Sequence, residues 1–241
     1  MKLFNLDSPL MQALNKMADL LWLNVLTLIC CIPIITVGPA LTAMHYMALK
    51  IARDEECYIT RDYFKSFKLN FRQATIIWLL MLFFILVLVG DFFILKNSEM
   101  QYGNVLSIIL TVVAVLLLFT CTFVFPVLAK FDNTILRTIK NSFFIGVLQF
   151  PKTILMMILS VVPAVLFIFV PRIIPIVVLF CFTAPAWVSA KLYSKFFQKL
   201  EDQITGENAP EEAEEEAGKE DERIFRDELD ETLISESENS Q

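Results

Sequence analysis

The first long apolar stretch of the chain covers residues 20–50, LLWLNVLTLICCIPIITVGPALTAMHYMALK, and contains no Asp, Glu, Lys or Arg before Lys50. At about 1.5 Å per helical residue, such a stretch is long enough to cross a bilayer. Pro33, Gly38 and Pro39 interrupt it, and each proline removes a helical donor and frees the carbonyl four residues earlier. The pattern predicts a first span that is broken at an elbow, with a second helix leaving toward a basic, aromatic segment.

Further apolar runs predict four more membrane-spanning helices. They cover about residues 74–95, 105–129, 153–170 and 176–192. Short polar or proline-containing segments separate them, and the fourth and fifth runs also carry internal prolines. The predicted fold is therefore an all-α, polytopic membrane bundle of about five transmembrane helices, formed by residues 1–200.

Two segments between the spans combine aromatic or apolar positions with basic positions at helical spacing. Each is predicted to be an amphipathic helix in the headgroup region, with its apolar side toward the bilayer and its basic side toward anionic lipid. The first lies within residues 50–72 and the second follows Asp132. Their candidate membrane-surface contacts are Arg61, Lys65, Lys68, Arg72, Arg137 and Lys140.

Composition supports the membrane assignment and divides the chain in two. The chain has 241 residues, 56% of them hydrophobic, including 22 Phe, and a soluble domain of this size cannot bury so much apolar surface. Residues 201–241 carry 17 acidic and 3 basic side chains, whereas residues 1–200 carry 17 basic and 9 acidic ones. Because like charges repel and few apolar groups are present, we predict that residues 201–241 form a disordered acidic tail.

The five cysteines and the N-terminus refine this prediction. The cysteines are too scattered for a disulfide framework, and four of them lie in apolar runs. The N-terminus lacks a charged patch that leads directly into an apolar run and a small-residue cleavage site. We therefore expect the first spanning helix to stay in the mature protein.

Basic residues beside the spans predict the orientation. With five spans, thirteen Lys or Arg residues flank the membrane on one side and four on the other. This places both amphipathic helices and the C-terminus in the cytoplasm and the N-terminus outside. If the first element instead folds back at Pro33–Pro39, the N-terminus is also inside. The predicted location is the plasma membrane, as a multi-pass protein.

Polar residues inside predicted spans are the default functional candidates. His45 is the only histidine, and Asp91 lies near the outer end of its span. At the elbow, the candidates are Asn24, Pro33, Thr36, Gly38 and Pro39. For each of these a structural role competes with a functional one, since a polar group in a span also bridges helices.

Motifs for catalysis are absent from the sequence. It contains no HExxH, no second histidine to complete a metal site, no GxSxG and only six glycines, too few for a glycine-built nucleotide site. The basic residues lie beside membrane spans, so they give no reason to expect nucleic-acid binding. We expect no catalytic residue, metal or cofactor.

Several short motifs resemble those of the YesL-like bacterial membrane proteins. The most specific are Thr36-Val37-Gly38-Pro39-Ala40 and the later Phe64-Lys65-Ser66-Phe67-Lys68-Leu69-Asn70-Phe71-Arg72-Gln73-Ala74. The resemblance covers about residues 4–80. It implies no biochemical activity and no ligand residues, but members of that family tend to be encoded beside carbohydrate ABC transporters, sugar-responsive two-component systems and glycan-degrading enzymes.

Two functional hypotheses follow. The first is a non-catalytic integral membrane protein, accessory to carbohydrate uptake or its regulation, which contacts a carbohydrate ABC transporter or a sensor kinase. The second is a small-solute transporter or channel that uses the broken first helix as its path. The lipid bilayer, with its anionic headgroups, is the partner in either case.

Overall fold

The computed structural model describes residues 9–97, 103–131, 133–169, 172, 178–203 and 206. Within these residues the chain is helical and contains no strand. The helices are α1 (Pro9–Cys30), α2 (Val37–Ala52), α3 (Ile59–Asn97), α4 (Gly103–Lys130), α5 (Ile135–Leu148) and α6 (Phe150–Phe169). Residues 183–203 are also helical, and a 3₁₀ turn, Ile34–Thr36, precedes α2.

The chain forms two compact units, Met1–Ser194 and Lys195–Gln241. The first contains α1 to α6, and the described residues of the second are mostly helical, over 195–203. Almost all of the predicted disordered tail lies outside the described residues.

Five helices of the described chain are long and apolar enough to cross a membrane. They are Met11–Cys30, Ile34–Ala52, Ile59–Asn97, Val105–Lys130 and Phe150–Phe169. The prediction of an all-α bundle with about five such helices is confirmed. The predicted first span corresponds to two of them, and the predicted fifth span begins outside the described residues, with residues 178–180 and 183–192 helical.

Helices α1 and α2 fold back on each other at the elbow. Lys16, near the start of α1, forms an ion pair with Asp54, just after the end of α2. Trp22 Nε1 donates a hydrogen bond to Thr60 Oγ1, at the start of α3, over 2.8 Å. Because the two ends of this hairpin are neighbours, both lie on the same side of any membrane that its helices enter. The five-span interpretation, with the N-terminus on the opposite side, disagrees with this geometry, and the folded-back interpretation agrees with it.

The prolines of the elbow act differently from the expectation. Helix α1 ends at Cys30, before Pro33, and Pro39 lies in the first turn of α2, whose N-cap is Thr36. Backbone N–H groups in a first helical turn have no acceptor within the helix, so a proline there breaks no helical hydrogen bond. The expectation that Pro39 interrupts a helix is wrong, because this residue helps to begin one.

Helix α3 joins two elements that were predicted separately. The first amphipathic segment and the second span form a single helix of 39 residues. Gln73 and Ala74 at their junction are compatible with a helix, and no proline or glycine occurs before Gly90, so nothing ends the helix between them. The basic segment is therefore a rigid extension of a candidate span and not a separate surface helix.

Candidate functional site

Asn24 is the most extensively bonded of the candidate residues. Its side chain is fully buried, with Nδ2 donating to Val178 O over 2.8 Å and Oδ1 accepting from Phe182 N over 3.2 Å. Val178 precedes the turn at residues 181–182, where the helical structure is interrupted, and Phe182 lies in that turn. One amide side chain on α1 thus satisfies a backbone donor and a backbone acceptor that the interrupted helix exposes.

A second contact holds the same junction. Thr183 Oγ1 donates to Leu20 O over 3.1 Å, and Thr183 is fully buried. Leu20 and Asn24 are one turn apart on α1, so the three hydrogen bonds join one face of α1 to the segment around the turn. This arrangement gives Asn24 a structural role, which is one of the two roles that the sequence left open.

At the elbow, side chains of the protein donate hydrogen bonds to backbone carbonyl oxygens. Thr36 Oγ1 lies 2.7 Å from Cys30 O and 2.9 Å from Pro33 O, so its hydroxyl has two possible acceptors. Trp78 of α3 donates from Nε1 to Ile34 O over 2.9 Å. These contacts meet the requirement for satisfied carbonyls at membrane depth. Pro33 itself is exposed at the tip of the hairpin.

Gly38 is a close-approach position between α2 and α3. A Cβ atom built on it would overlap the carbonyl oxygen of Ala74 and would lie 2.7 Å from Cβ of Trp78. Any larger side chain would therefore push α2 away from α3. Pro39 and Ala40 beside it are also buried, which gives α2 a smooth surface of small residues at this contact.

His45 lies on α2 in the wall of a cavity of about 690 Å³. Its Nδ1 atom is buried and has no hydrogen-bond partner among the described residues. A buried polar atom without a partner is uncommon in folded proteins. The structural role that the sequence left open for His45, a polar group that bridges helices, is therefore not supported at Nδ1.

Asp91 lies six residues before the end of α3 and is partly exposed. The structure places it far along α3 from the elbow contacts at Ala74 and Trp78. It does not bring Asp91 and His45 into one site, because only His45 lines the cavity.

The four basic candidates of α3 form an exposed stripe. Arg61, Lys65, Lys68 and Arg72 are all exposed, and none forms an ion pair with another described residue. At about 100° per residue they share one face of the helix. The buried residues Tyr63, Ser66, Ala74 and Ile77 lie on the opposite face.

Helix α5 presents its basic residues in the same way. Arg137 and Lys140 are exposed, whereas Thr138 and Ser142 are buried. The buried face thus includes small polar residues besides the apolar Ile145, and it packs against protein instead of facing lipid as expected. Gly146 of this face lies so close to α4 that a Cβ atom on it would be 3.2 Å from Phe119 O.

Gln73 brings the two basic helices together. Its Nε2 atom donates to Asn133 O over 2.6 Å and lies 3.4 Å from Thr138 Oγ1. Gln73 follows Arg72, and Thr138 follows Arg137, so the two basic segments lie beside each other at this point. Sequence reasoning missed Gln73, Trp78 and Thr183, because no local pattern indicates partners so far away in the chain. The partners of Gln73 are 60 and 65 residues away, that of Trp78 is 44 residues away and that of Thr183 is 163 residues away.

One charged cluster closes the open end of the α1–α2 hairpin. Besides the Lys16–Asp54 pair, Lys50 Nζ lies 3.1 Å from Asp62 Oδ2. Asp54 has a positive φ of 59°, a conformation that Asp tolerates better than most residues at the end of a helix. Nearby, burial raises the pKa of the Cys57 thiol, so this thiol stays protonated at neutral pH.

The fold and these contacts define the class of the molecule as an all-α bundle with five helices long and apolar enough to cross a membrane, in which several buried polar side chains join helices. Comparison with known families adds one finding. The sequence model of the family described as "Protein of unknown function, DUF624" matches residues 19–92. The match covers most of α1, the elbow, α2 and nearly all of α3. No curated protein and no solved structure matches the chain significantly.

Proposed function

We propose that this chain is a multi-pass plasma-membrane protein that acts through protein–protein contact, as an accessory to carbohydrate uptake or its regulation, and not as an enzyme. The observation that carries the proposal is the exposed basic stripe of α3 beside α5, which has no ion-pair partner among the described residues. Unpaired surface charges of one sign attract a partner of the opposite sign and set the orientation of the complex.

Exposed leucines within these basic helices support contact with a protein. Leu69 of α3 is 77% exposed and Leu136 of α5 is 79% exposed, and each is adjacent in sequence to a basic residue. Apolar anchors surrounded by charged groups are typical of protein interfaces. The same residues also suit a headgroup layer, so the experiment must separate the two environments.

The hairpin supports a cytoplasmic position for this surface. If α1 and α2 fold back, Lys2 and Lys16 move to the side that carries the other basic segments, and thirteen against four becomes fifteen against two. The charge asymmetry is then stronger than in the five-span arrangement, and it favours the cytoplasm for both basic helices, the N-terminus and the C-terminus.

The carbohydrate part of the proposal depends on the resemblance to the YesL-like proteins. The motifs that carry it lie mostly within residues 19–92, the stretch that the family of unknown function also matches. Genes for YesL-like proteins lie beside those for carbohydrate transporters and sensor kinases. A subunit of either kind is the partner that we propose.

Photo-crosslinking from single positions tests the proposal. We would replace Leu69 by a photoreactive amino acid in the full-length protein, in cells of the native host grown on a complex carbohydrate. The part of α3 that follows Met81 is called its outer half. Leu86, 62% exposed on this outer half, gives the matched control position. We expect Leu69 to crosslink a transporter or kinase subunit and Leu86 to crosslink lipid. Crosslinks to lipid alone at both positions would contradict the proposal.

The transporter alternative has less support in the structure. It requires elbow carbonyls that are free to meet a solute, and the carbonyls of Cys30, Pro33 and Ile34 already have donors within hydrogen-bonding distance. The transporter alternative would be supported if liposomes that contain the pure protein showed a solute flux that Thr36→Val reduces.

A further inference from the structure

The proposed function does not use the cavity beside His45. Its volume of about 690 Å³ falls in the range of small-molecule sites, about 300–1,000 Å³. Helices α2, α4 and α6 and residues 178–189 form most of its wall. Large apolar side chains dominate this wall, among them Met44, Phe125, Met156, Phe167 and Phe182.

Few polar groups of the wall are available to a ligand. The hydroxyls of Thr122 and Ser160 each donate to a carbonyl of their own helix over 2.9 Å. The side chain of His45 lines the cavity. Its Nδ1 atom is buried beneath the wall and has no hydrogen-bond partner within the described part of the chain, which leaves Nε2 as the ring nitrogen that a ligand can reach. An imidazole held among apolar side chains without a partner costs free energy that a bound polar group would recover.

Three residues of the cavity wall are exposed in segments where lipid is expected. Phe167 and Ile168 of α6 are 50% and 71% exposed, and Val178 is 40% exposed. All three line the cavity and belong to apolar segments of membrane-spanning character. A ligand that enters between them comes from the acyl-chain region of the bilayer and not from water.

We propose that this cavity binds a single-chain lipid whose hydrocarbon tail fills the apolar wall and whose hydroxyl or un-ionised carboxyl group hydrogen-bonds to His45. The reachable nitrogen of a neutral imidazole either donates or accepts one hydrogen bond, and a hydroxyl or an un-ionised carboxyl group can meet either form. A charged phosphate or a sugar would leave several polar groups without partners in this wall. The inference does not depend on the protein partner proposed above.

Photolabelling tests this site with a defined probe, palmitic acid that carries a diazirine on its chain. The full-length protein in phospholipid nanodiscs would be labelled, and mass spectrometry would locate the label. We expect it on peptides from α6 and residues 178–189, with competition by unlabelled palmitic acid or monopalmitoylglycerol. Whichever competes at the lower concentration identifies the headgroup. Label spread evenly over lipid-facing helices would overturn the proposal.

Substitutions in the cavity and at His45 separate the contribution of the lipid tail to binding from that of the headgroup. Ala164→Trp fills the cavity and should lower labelling at least fivefold, whereas Leu86→Trp on the outer half of α3 should not change it. Ser160→Leu fills less volume and replaces Ala164→Trp if that variant does not fold. His45→Leu should weaken palmitic acid binding about tenfold, because one buried hydrogen bond contributes about 1.4 kcal/mol.

A diazirine-labelled hexadecane, which has no headgroup, gives the control for His45. Its labelling should be the same in the His45→Leu variant and in the unchanged protein. Equal loss of both probes in that variant, or no loss of either, would overturn the role assigned to His45. Unchanged labelling in the folded cavity-filling variants would overturn the site itself.

Discussion

The two halves of α3 belong to one helix and have different surroundings. In the first half, Tyr63, Ser66, Ala74, Ile77 and Met81 are buried. Beyond Met81 no residue of α3 is buried, and Phe83, Leu86, Val89 and Phe93 are each more than 60% exposed. The more apolar half is thus the more exposed one, because lipid solvates such side chains as well as a protein core does.

The difference between the two halves of α3 shows which residues determine helix packing in this protein. At the packed half, the contact with α2 depends on Gly38 and Ala74, which allow the backbones to approach closely. On the outer half, a Cβ atom on Gly90 would have no neighbour within 4 Å. Two glycines in apolar helices therefore have different roles, and substitutions at both positions separate packing from helix propensity.

The largest effect is expected for Gly38→Ala. The added methyl group overlaps the Ala74 carbonyl oxygen, so α2 must move away from α3. We expect a loss of about 1–3 kcal/mol, the usual cost of overpacking, or failure to fold. Thermal unfolding of the purified protein in mild detergent, followed by tryptophan fluorescence, measures it. A melting temperature equal to that of the unchanged protein would contradict the close contact.

A loss in the same range, without the failure to fold that Gly38→Ala could cause, is expected for Asn24→Leu. This substitution leaves Val178 O and Phe182 N without their side-chain partner, at a cost of about 1–3 kcal/mol. Thr42→Val is the matched control, since Thr42 is equally buried and its hydroxyl donates to Gly38 O of its own helix. The same melting assay should show a clearly larger loss for Asn24→Leu. Equal losses for both variants would mean that Asn24 does not bridge the helices.

Gly146→Ala should have an intermediate effect. The new Cβ atom would lie 3.2 Å from Phe119 O and 3.3 Å from its Cβ atom, which is tight but not an overlap. A shift of a few tenths of an ångström between α4 and α5 would accommodate it. We expect a loss of about 1 kcal/mol, at the low end of overpacking costs. A loss as large as that of Gly38→Ala would show that the two contacts are equally close.

The smallest effect is expected for Gly90→Ala, and it should have the opposite sign. With open space around this position, the substitution removes only the low helix propensity of glycine, which is worth up to about 1 kcal/mol. The melting temperature should stay the same or rise. A clear decrease would show that the outer half of α3 packs against protein, for example a second copy of the chain, and not against lipid.

Much of the fold could be predicted from the sequence, because the apolar runs and their lengths depend on local composition. The direction of the chain after the elbow could not. It depends on long-range contacts such as Lys16 with Asp54 and Trp22 with Thr60, which no local pattern encodes. For the same reason the partners of Asn24 were not predicted, although its position inside a span correctly marked it as a residue that needs partners.

The continuity of α3 shows a second feature that could not be predicted from the sequence, the position of a helix boundary. A change from basic to apolar residues at Arg72–Gln73 suggested a boundary between a surface helix and a span, whereas helices end only where backbone geometry or capping ends them. The basic side chains were correctly predicted to be exposed. What they contact is a property of the surroundings of the molecule, and the sequence gives only their charge.

The hairpin of α1 and α2 places both of its ends on the same side of the membrane. Single cysteines at Gln12, Glu56 and Asn97, each exposed, in a cysteine-free background test it most directly. We expect a membrane-impermeant maleimide to label Gln12→Cys and Glu56→Cys from the same side of oriented vesicles and Asn97→Cys from the other. Labelling of Gln12→Cys and Glu56→Cys from opposite sides would contradict a hairpin with both ends on one side of the membrane.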